Sequence, residues 1–116
     1  MSTFQKIYSN AIGISFFWNQ HTEVKDKVQL VFRDTGFLLT LAELQEFSSY
    51  CVQVLSTTGC EHCKHSDQCR NLLLRTPSSK IDLAVNKQEL VDIQELINQT
   101  IMAVQLKKWF SSICPN

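Results

Sequence analysis

Hydrophobic and polar positions alternate with the period of β-strands in the first third of the chain. The alternation over residues 12–18 predicts a first strand with one well-buried face. Its alternating residues are, on one side, Ile12, Ile14, Phe16 and Trp18 and, on the other, Gly13, Ser15 and Phe17. The same period over 28–33 predicts a second strand, and the apolar residues 37–39 predict a third. The polar residues 33–36 between them end in Gly36, which we expect to supply the positive φ of a tight hairpin with a bulge.

Two capping patterns mark the starts of helices. Thr40 is followed three residues later by Glu43, and Asn86 is followed in the same way by Glu89. Such pairs satisfy free amide groups at a helix start. Apolar residues then recur three and four positions apart, namely Leu44, Phe47, Cys51, Val54 and Leu55 in the first stripe and Leu90, Ile93, Ile97, Ile101 and Val104 in the second. The first helix should stop at 56–59, and the second should run to about Ile113, before Pro115.

A second hairpin is predicted between the two helices. The leucines 72–74 and the alternating residues 81–85 form its strands, and 76–79 form a looser turn. The element order is therefore β-β-β-α-β-β-α. It predicts an α+β fold, an antiparallel sheet of about five strands with both amphipathic helices on one face. A shift of 46 residues places Thr40 on Asn86 and Glu43 on Glu89, which suggests a duplicated strand-strand-helix unit.

Length and charge limit the classes of protein that fit. The chain has 116 residues, 44% of them apolar, with 11 Lys plus Arg and 11 Asp plus Glu. This composition predicts one domain over residues 1–116, with a cysteine-rich connector at 56–70. Zero net charge removes the bulk attraction to polyanions and disfavours nucleic acid as a partner. A small basic rim keeps a weak nucleic-acid-binding module as an alternative, its residues being Lys64, Arg70 and Arg75.

Targeting signals are not evident in the sequence. The apolar residues 11–18 are too short to cross a bilayer, and residues 1–10 do not have the pattern of a signal peptide. Five cysteines are present, an odd number, and clustered thiols without a secretory signal favour a reducing compartment. We therefore expect a cytoplasmic protein with no membrane association.

The connector contains the one pattern with chemical content. Cys60 and Cys63 form a CxxC pair, and Cys69 follows after five residues. Three thiolates at this spacing form most of a metal site, and tetrahedral zinc needs a fourth ligand. His65 is the preferred candidate because it lies within the segment. The alternatives for the fourth ligand are His62, Cys51 and Cys114, although Cys51 also occupies the apolar stripe of the first helix, where a buried thiol acts as a small hydrophobe. Zinc is preferred to an iron–sulfur cluster, which usually takes four cysteines.

This cysteine spacing resembles that of the RecB-like iron–sulfur nucleases and of the auxiliary-cluster region of some radical enzymes. The resemblance covers Cys60, Cys63 and Cys69 alone. The nuclease carboxylates and lysine have no counterpart, and Leu73 stands where the radical enzymes have a further cysteine. The resemblance therefore carries over no activity. As a whole, the chain resembles short bacterial proteins of unknown function.

The sequence favours a non-enzymatic role. Phosphate-binding glycine loops, HExxH helices and GxSxG turns are absent from it. We expect a structural or protein-interaction domain with a metal-binding cysteine loop, the alternative being a thiol redox or iron–sulfur protein. The second helix carries more apolar surface than its own core requires, which favours a homodimer through the C-terminal helix or an unknown protein partner. The residues concerned are Met102, Leu106, Trp109, Phe110 and Ile113. Alternatively, Trp109 and Phe110 fold back onto the first predicted strand.

Overall fold

Strands and helices follow one another in the order β-β-β-β-α-β-β-α in the computed structural model, which describes residues 4–18, 27–57 and 69–113. The elements are β1 (Phe4–Ser9), β2 (Gly13–Trp18), β3 (Val28–Phe32), β4 (Thr35–Leu39), α1 (Leu41–Thr57), β5 (Leu72–Arg75), β6 (Asp82–Val85) and α2 (Lys87–Ile113). The α+β class and both helices are confirmed. The predicted order of elements is wrong by one strand, because β1 precedes the strand that the sequence pattern identified.

A β-bulge explains why the alternation of residues did not reveal β1. This strand pairs with β2 in antiparallel fashion, and the register shifts between Lys6 and Tyr8. Ile7 is the extra residue at this shift. Both Ile7 and Tyr8 pack beside the core, so two successive residues contact the interior and the period of two is lost.

The predicted single sheet of about five strands is wrong, because the structure contains two separate sheets. One is antiparallel with the order β1-β2-β3-β4, and the other is the β5-β6 hairpin. The hairpin packs on α1 through β5, where Leu74 is fully buried. The Arg33 guanidinium also donates a hydrogen bond of 2.6 Å to the Ala84 carbonyl of β6. The second hairpin is therefore attached by side chains and not by extension of the first sheet.

Both helices lie on one face of the four-stranded sheet and pack against each other. The two predicted caps are present: the Glu43 amide donates to the Thr40 hydroxyl, and the Thr40 amide donates to the Glu43 carboxylate, at 3.2 and 2.9 Å. Asn86 and Glu89 make the same reciprocal pair. The helices and the inner face of the sheet enclose a core that includes Val28, Leu30, Phe32, Phe37, Leu44, Phe47, Cys51, Leu90, Ile93 and Ile97.

The face of β2 that packs against the helices carries Ser15 and Phe17, and not Phe16 and Trp18. Ser15 is fully buried and lies 2.6 Å from the Thr100 hydroxyl of α2. Phe17 also packs beside the core. Since neighbouring side chains of a strand point to opposite faces, Phe16 and Trp18 are on the side away from the helices. The prediction of one well-buried face does not say which set of residues forms it, and in the structure it is the set with Ser15, which bonds α2 at close range.

The β3-β4 turn differs from the prediction. Phe32 pairs with Thr35, so the loop contains only Arg33 and Asp34, with φ values of 52° and 63°. Positive φ at both central residues is typical of a type I′ turn, whose twist matches that of the flanking strands. Gly36 has no positive φ and already lies within β4. The expectation that Gly36 forms the turn with a bulge is therefore wrong.

Candidate functional site

The C-terminal half of α2 carries a patch of exposed apolar side chains. Met102, Leu106, Trp109 and Phe110, called the α2 patch below, are each more than half exposed. Every residue from 105 to 110 is exposed. The rings of Trp109 and Phe110 contact each other at 5.1 Å. They are not buried on the strand over 13–18, as the fold-back alternative requires.

A groove separates the α2 patch from β1. It encloses about 630 Å³ and is lined mostly by apolar side chains, which include Ile7, Tyr8, Met102, Ala103, Leu106 and Trp109. Tyr8 makes a side-chain hydrogen bond to Glu95, and its pKa is raised by burial and then by the negative charge of Glu95 and this bond. Glu95 also accepts a hydrogen bond of 2.8 Å from the Asn10 amide. The groove is thus mostly apolar, and Tyr8, Gln99 and Gln105 contribute its polar groups.

The predicted metal ligands fall mostly outside the described residues. Cys60, Cys63 and His65, as well as His62 and Cys114, lie in 58–68 and 114–116. Cys69 is described, and it is exposed and free. In the part of the chain that the structure describes, His, Cys, Asp and Glu side chains form no group of three that could hold a metal ion. The four-ligand site thus stays a prediction.

Cys51 belongs to the core, as its place in the apolar stripe indicates. It is fully buried, and burial raises the pKa of its thiol to about 12. A metal ligand must be a thiolate, and this thiol stays protonated at neutral pH. The structure thus supports the interpretation of Cys51 as a small hydrophobe of the core.

A small ion-pair cluster fixes the residues that follow Cys69. The Arg70 guanidinium donates to both carboxylate oxygens of Glu89, at 3.1 Å from Nε and 2.8 Å from the terminal nitrogen. Arg33 approaches the same carboxylate at 3.7 Å. Glu89 is also the capping residue of α2. One carboxylate therefore connects the cysteine segment, the β3-β4 turn and the start of α2.

Glu89→Gln is expected to reduce stability by about 1 kcal/mol at pH 7. Burial by itself raises the pKa of Glu89, but the hydrogen bonds from Arg70 and Asn86 and the charges of Arg33 and Arg70 lower it overall. A carboxyl group with a lowered pKa stabilises the fold fully above the unfolded value of about 4.3 and loses this contribution as the pH falls through the folded value. Urea titrations at several pH values should show the wild-type advantage disappear in acid. A wild-type advantage that does not change with pH would contradict this origin.

Comparison with known proteins identifies the family of the chain. Residues 3–111 match the model of a family described as a family of unknown function, DUF6686. The chain belongs to the DUF6686 family. No curated protein and no solved structure matches it. In the described part of this chain, no helix combines the length and apolar character needed to cross a membrane.

Two features of this DUF6686 chain were missed by sequence reasoning. The groove depends on Ile7 and Tyr8 of β1, a strand that the bulge concealed. The other feature is the aromatic surface on the sheet face opposite the helices, where Phe16 lies 4.9 Å from Phe4. The alternation in β2 carried a signal for this surface, but it did not tell which of the two faces the helices cover.

Two residues of the predicted basic rim have partners in the structure. Arg70 is bonded to Glu89, and the Arg75 guanidinium carbon lies 5.8 Å from the centre of the Tyr50 ring.

Proposed function

We propose that this protein is a non-enzymatic interaction domain that forms a homodimer through the α2 patch. The observation that carries the proposal is the exposure of the patch: four large apolar side chains remain more than half exposed at the end of one helix. Contiguous apolar patches on soluble domains commonly mark interfaces. Residues 105–110 of α2 are all exposed, and isolated helical turns are marginal in water.

A second copy is the partner that this surface fits most simply. A two-fold contact between identical patches places Leu106, at the middle of the patch, close to the same residue of the other copy. Zero net charge means that two copies do not repel each other strongly. The groove beside β1 offers additional apolar surface for large side chains. Burial of these side chains supplies the main driving force for association.

Leu106→Glu is expected to convert the dimer into a monomer, because it places a charge at the centre of the proposed contact. Light scattering after gel filtration measures the mass of each form. The wild type should give twice the chain mass of 13.3 kDa, and the variant should give the single-chain mass with an unchanged circular dichroism spectrum. Val52→Glu is the matched control, because Val52 is also an exposed helical residue but lies on α1. A monomeric wild type at tens of micromolar would contradict the proposal.

We propose as a second function that the cysteine segment binds zinc through Cys60, Cys63, Cys69 and His65. Support comes from the CxxC spacing and from the exposure of Cys69. The anchoring of Arg70 on Glu89 holds one end of the segment in place. Zinc would connect the end of α1 with the start of β5. An iron–sulfur cluster or a redox-active thiol pair is the alternative use of these residues.

Cys69→Ser is expected to lower the zinc content from about one equivalent per chain to a small fraction, since three ligands hold zinc less tightly than four. Elemental analysis of protein purified without oxygen measures the content, and Cys51→Ser is the control that should retain the metal. Visible absorbance would instead indicate an iron–sulfur cluster, and selective alkylation of one cysteine would indicate a reactive thiol. Wild-type protein with under about a tenth of an equivalent of Zn or Fe would refute metal binding.

A further inference from the structure

The four-stranded sheet has a second face, turned away from both helices, which we call the open face. Its side chains follow from the pairing register, in which Lys6 lies opposite Phe16 and Phe16 lies opposite Gln29. Antiparallel sheets with one solvated face usually carry polar residues there. This face is instead mostly apolar and includes Phe4, Ile14, Phe16, Trp18, Val31 and Leu38. A face of this composition is suited to binding a partner.

Three aromatic rings form a continuous row across β1 and β2. The centre of the Phe16 ring lies 4.9 Å from the centre of the Phe4 ring and 5.0 Å from that of Trp18. The Trp18 indole N–H donates to the Gln29 side-chain oxygen at 3.1 Å, and the Gln29 amide in turn donates to the Phe37 carbonyl at 3.1 Å. The indole is thus oriented before any ligand binds. Preorganised rings lose little conformational entropy on binding.

The charges on the open face are of one sign. Lys6 is exposed on β1 beside the aromatic row. Lys27 directly precedes buried Val28 of β3, and continuing the strand alternation by one residue would place it on the open face as well. Among the described residues of β1 to β4, Asp and Glu are absent from the strands. The face therefore has positive charge next to aromatic surface, although the whole chain is neutral.

We propose that the open face binds single-stranded nucleic acid. Unpaired bases would stack on Phe4 and Phe16, with Trp18 extending the row, and the phosphates would lie near Lys6 and Lys27. Stacking on aromatic side chains together with backbone contacts to basic residues is the general mode of single-strand binding on sheet surfaces. Base pairs bury the flat surfaces that stack, so a duplex fits this face less well. The site is separate from the α2 patch, and its occupation does not require the homodimer.

The test uses the full chain and fluorescein-labelled oligothymidylate and oligouridylate of about 12 nucleotides. Fluorescence anisotropy at low salt measures affinity, and in a Trp109→Phe background the remaining indole, Trp18, should be quenched on binding. Two phosphate contacts predict a slope of about −1.4 for log K against log salt. Phe4→Ala should weaken binding about fivefold or more, and Lys6→Glu should weaken it several-fold. Both variants change exposed side chains of an edge strand, and circular dichroism verifies their fold.

Two control variants separate this face from the rest of the molecule. Lys108→Glu changes an exposed lysine of α2, and Phe110→Ala removes an exposed ring of the α2 patch, so both should bind with wild-type affinity. Absence of binding at low salt would overturn the proposal. Equal affinity for a duplex of the same length would also overturn it, as would full affinity in both Phe4→Ala and Lys6→Glu. An equal loss of affinity in Lys108→Glu would show diffuse charge attraction and not a site.

Discussion

Gly13→Ala is expected to lower the free energy of unfolding by about 3 kcal/mol. Gly13 begins β2 and pairs with Phe32 of β3. A Cβ atom added at this position would overlap the Val31 carbonyl oxygen and would lie 2.6 Å from the Phe32 Cβ. These atoms are backbone or directly attached to it, so they move only if the two strands separate. Separation would disturb the buried ring of Phe32, and chemical denaturation of the purified variant should reveal the loss.

Gly36→Ala is the matched control for this prediction. Gly36 also lies in the four-stranded sheet, and an added Cβ there would approach the Gln29 side-chain nitrogen at 3.2 Å. That nitrogen donates a hydrogen bond to the Phe37 carbonyl, but it belongs to a side chain and not to the backbone, so a shift of a few tenths of an ångström relieves the contact without separating the strands. We expect a change within about 0.5 kcal/mol. Similar stabilities for the two alanine variants would contradict the close approach of β2 and β3 at Gly13.

Leu74→Ala is expected to destabilise the protein by about 3 kcal/mol, because it removes a fully buried side chain and leaves a cavity. Leu74 belongs to β5, in the hairpin outside the main sheet, and its burial is complete. The loss should therefore appear in the global unfolding transition and not as separate melting of the hairpin. Urea denaturation followed by both tryptophan fluorescence and circular dichroism distinguishes the two cases, since coincident curves indicate one cooperative unit.

Leu73→Ala, one residue earlier in the same strand, provides the control. Leu73 is 66% exposed, so its truncation should change stability by less than about 0.5 kcal/mol. The pair differs in the direction of the side chain and in little else. Equal effects of the two substitutions would mean that β5 does not present Leu74 to the core.

The proposed surfaces use different layers of the domain. The α2 patch lies at the end of the helical layer, and the open face lies on the sheet side. A homodimer through α2 would leave the aromatic row on β1 and β2 accessible in each copy, and two copies could then contact one strand of nucleic acid. Linked sites raise the effective local concentration of the second contact. Leu106→Glu and Phe4→Ala test the two surfaces independently.

Local sequence patterns predicted the elements whose signals lie within a few residues. The reciprocal pair of Thr40 and Glu43 predicted the start of α1 because both hydrogen bonds close within one helical turn. The pair of Asn86 and Glu89 did the same for α2. The prediction of Cys51 as a core residue is confirmed, because its position in the apolar stripe of α1 is a local property of the sequence. The prediction that Gly36 supplies the positive φ of the β3-β4 turn was wrong. Glycine is favoured at positive φ, but other residues such as Arg33 and Asp34 adopt positive φ values when the strand register requires them.

The sequence by itself thus determined the class of the fold, the two helix starts, the hairpin partners and the cysteine spacing, since each is encoded by neighbours along the chain. The tertiary structure decided which face of β2 the helices cover, through the contact between Ser15 and Thr100. It also decided that β5 and β6 form their own sheet and that β1 completes the first one. These features depend on contacts between residues far apart in the chain. A periodic pattern reports that a strand has two faces, but only packing determines which face is buried.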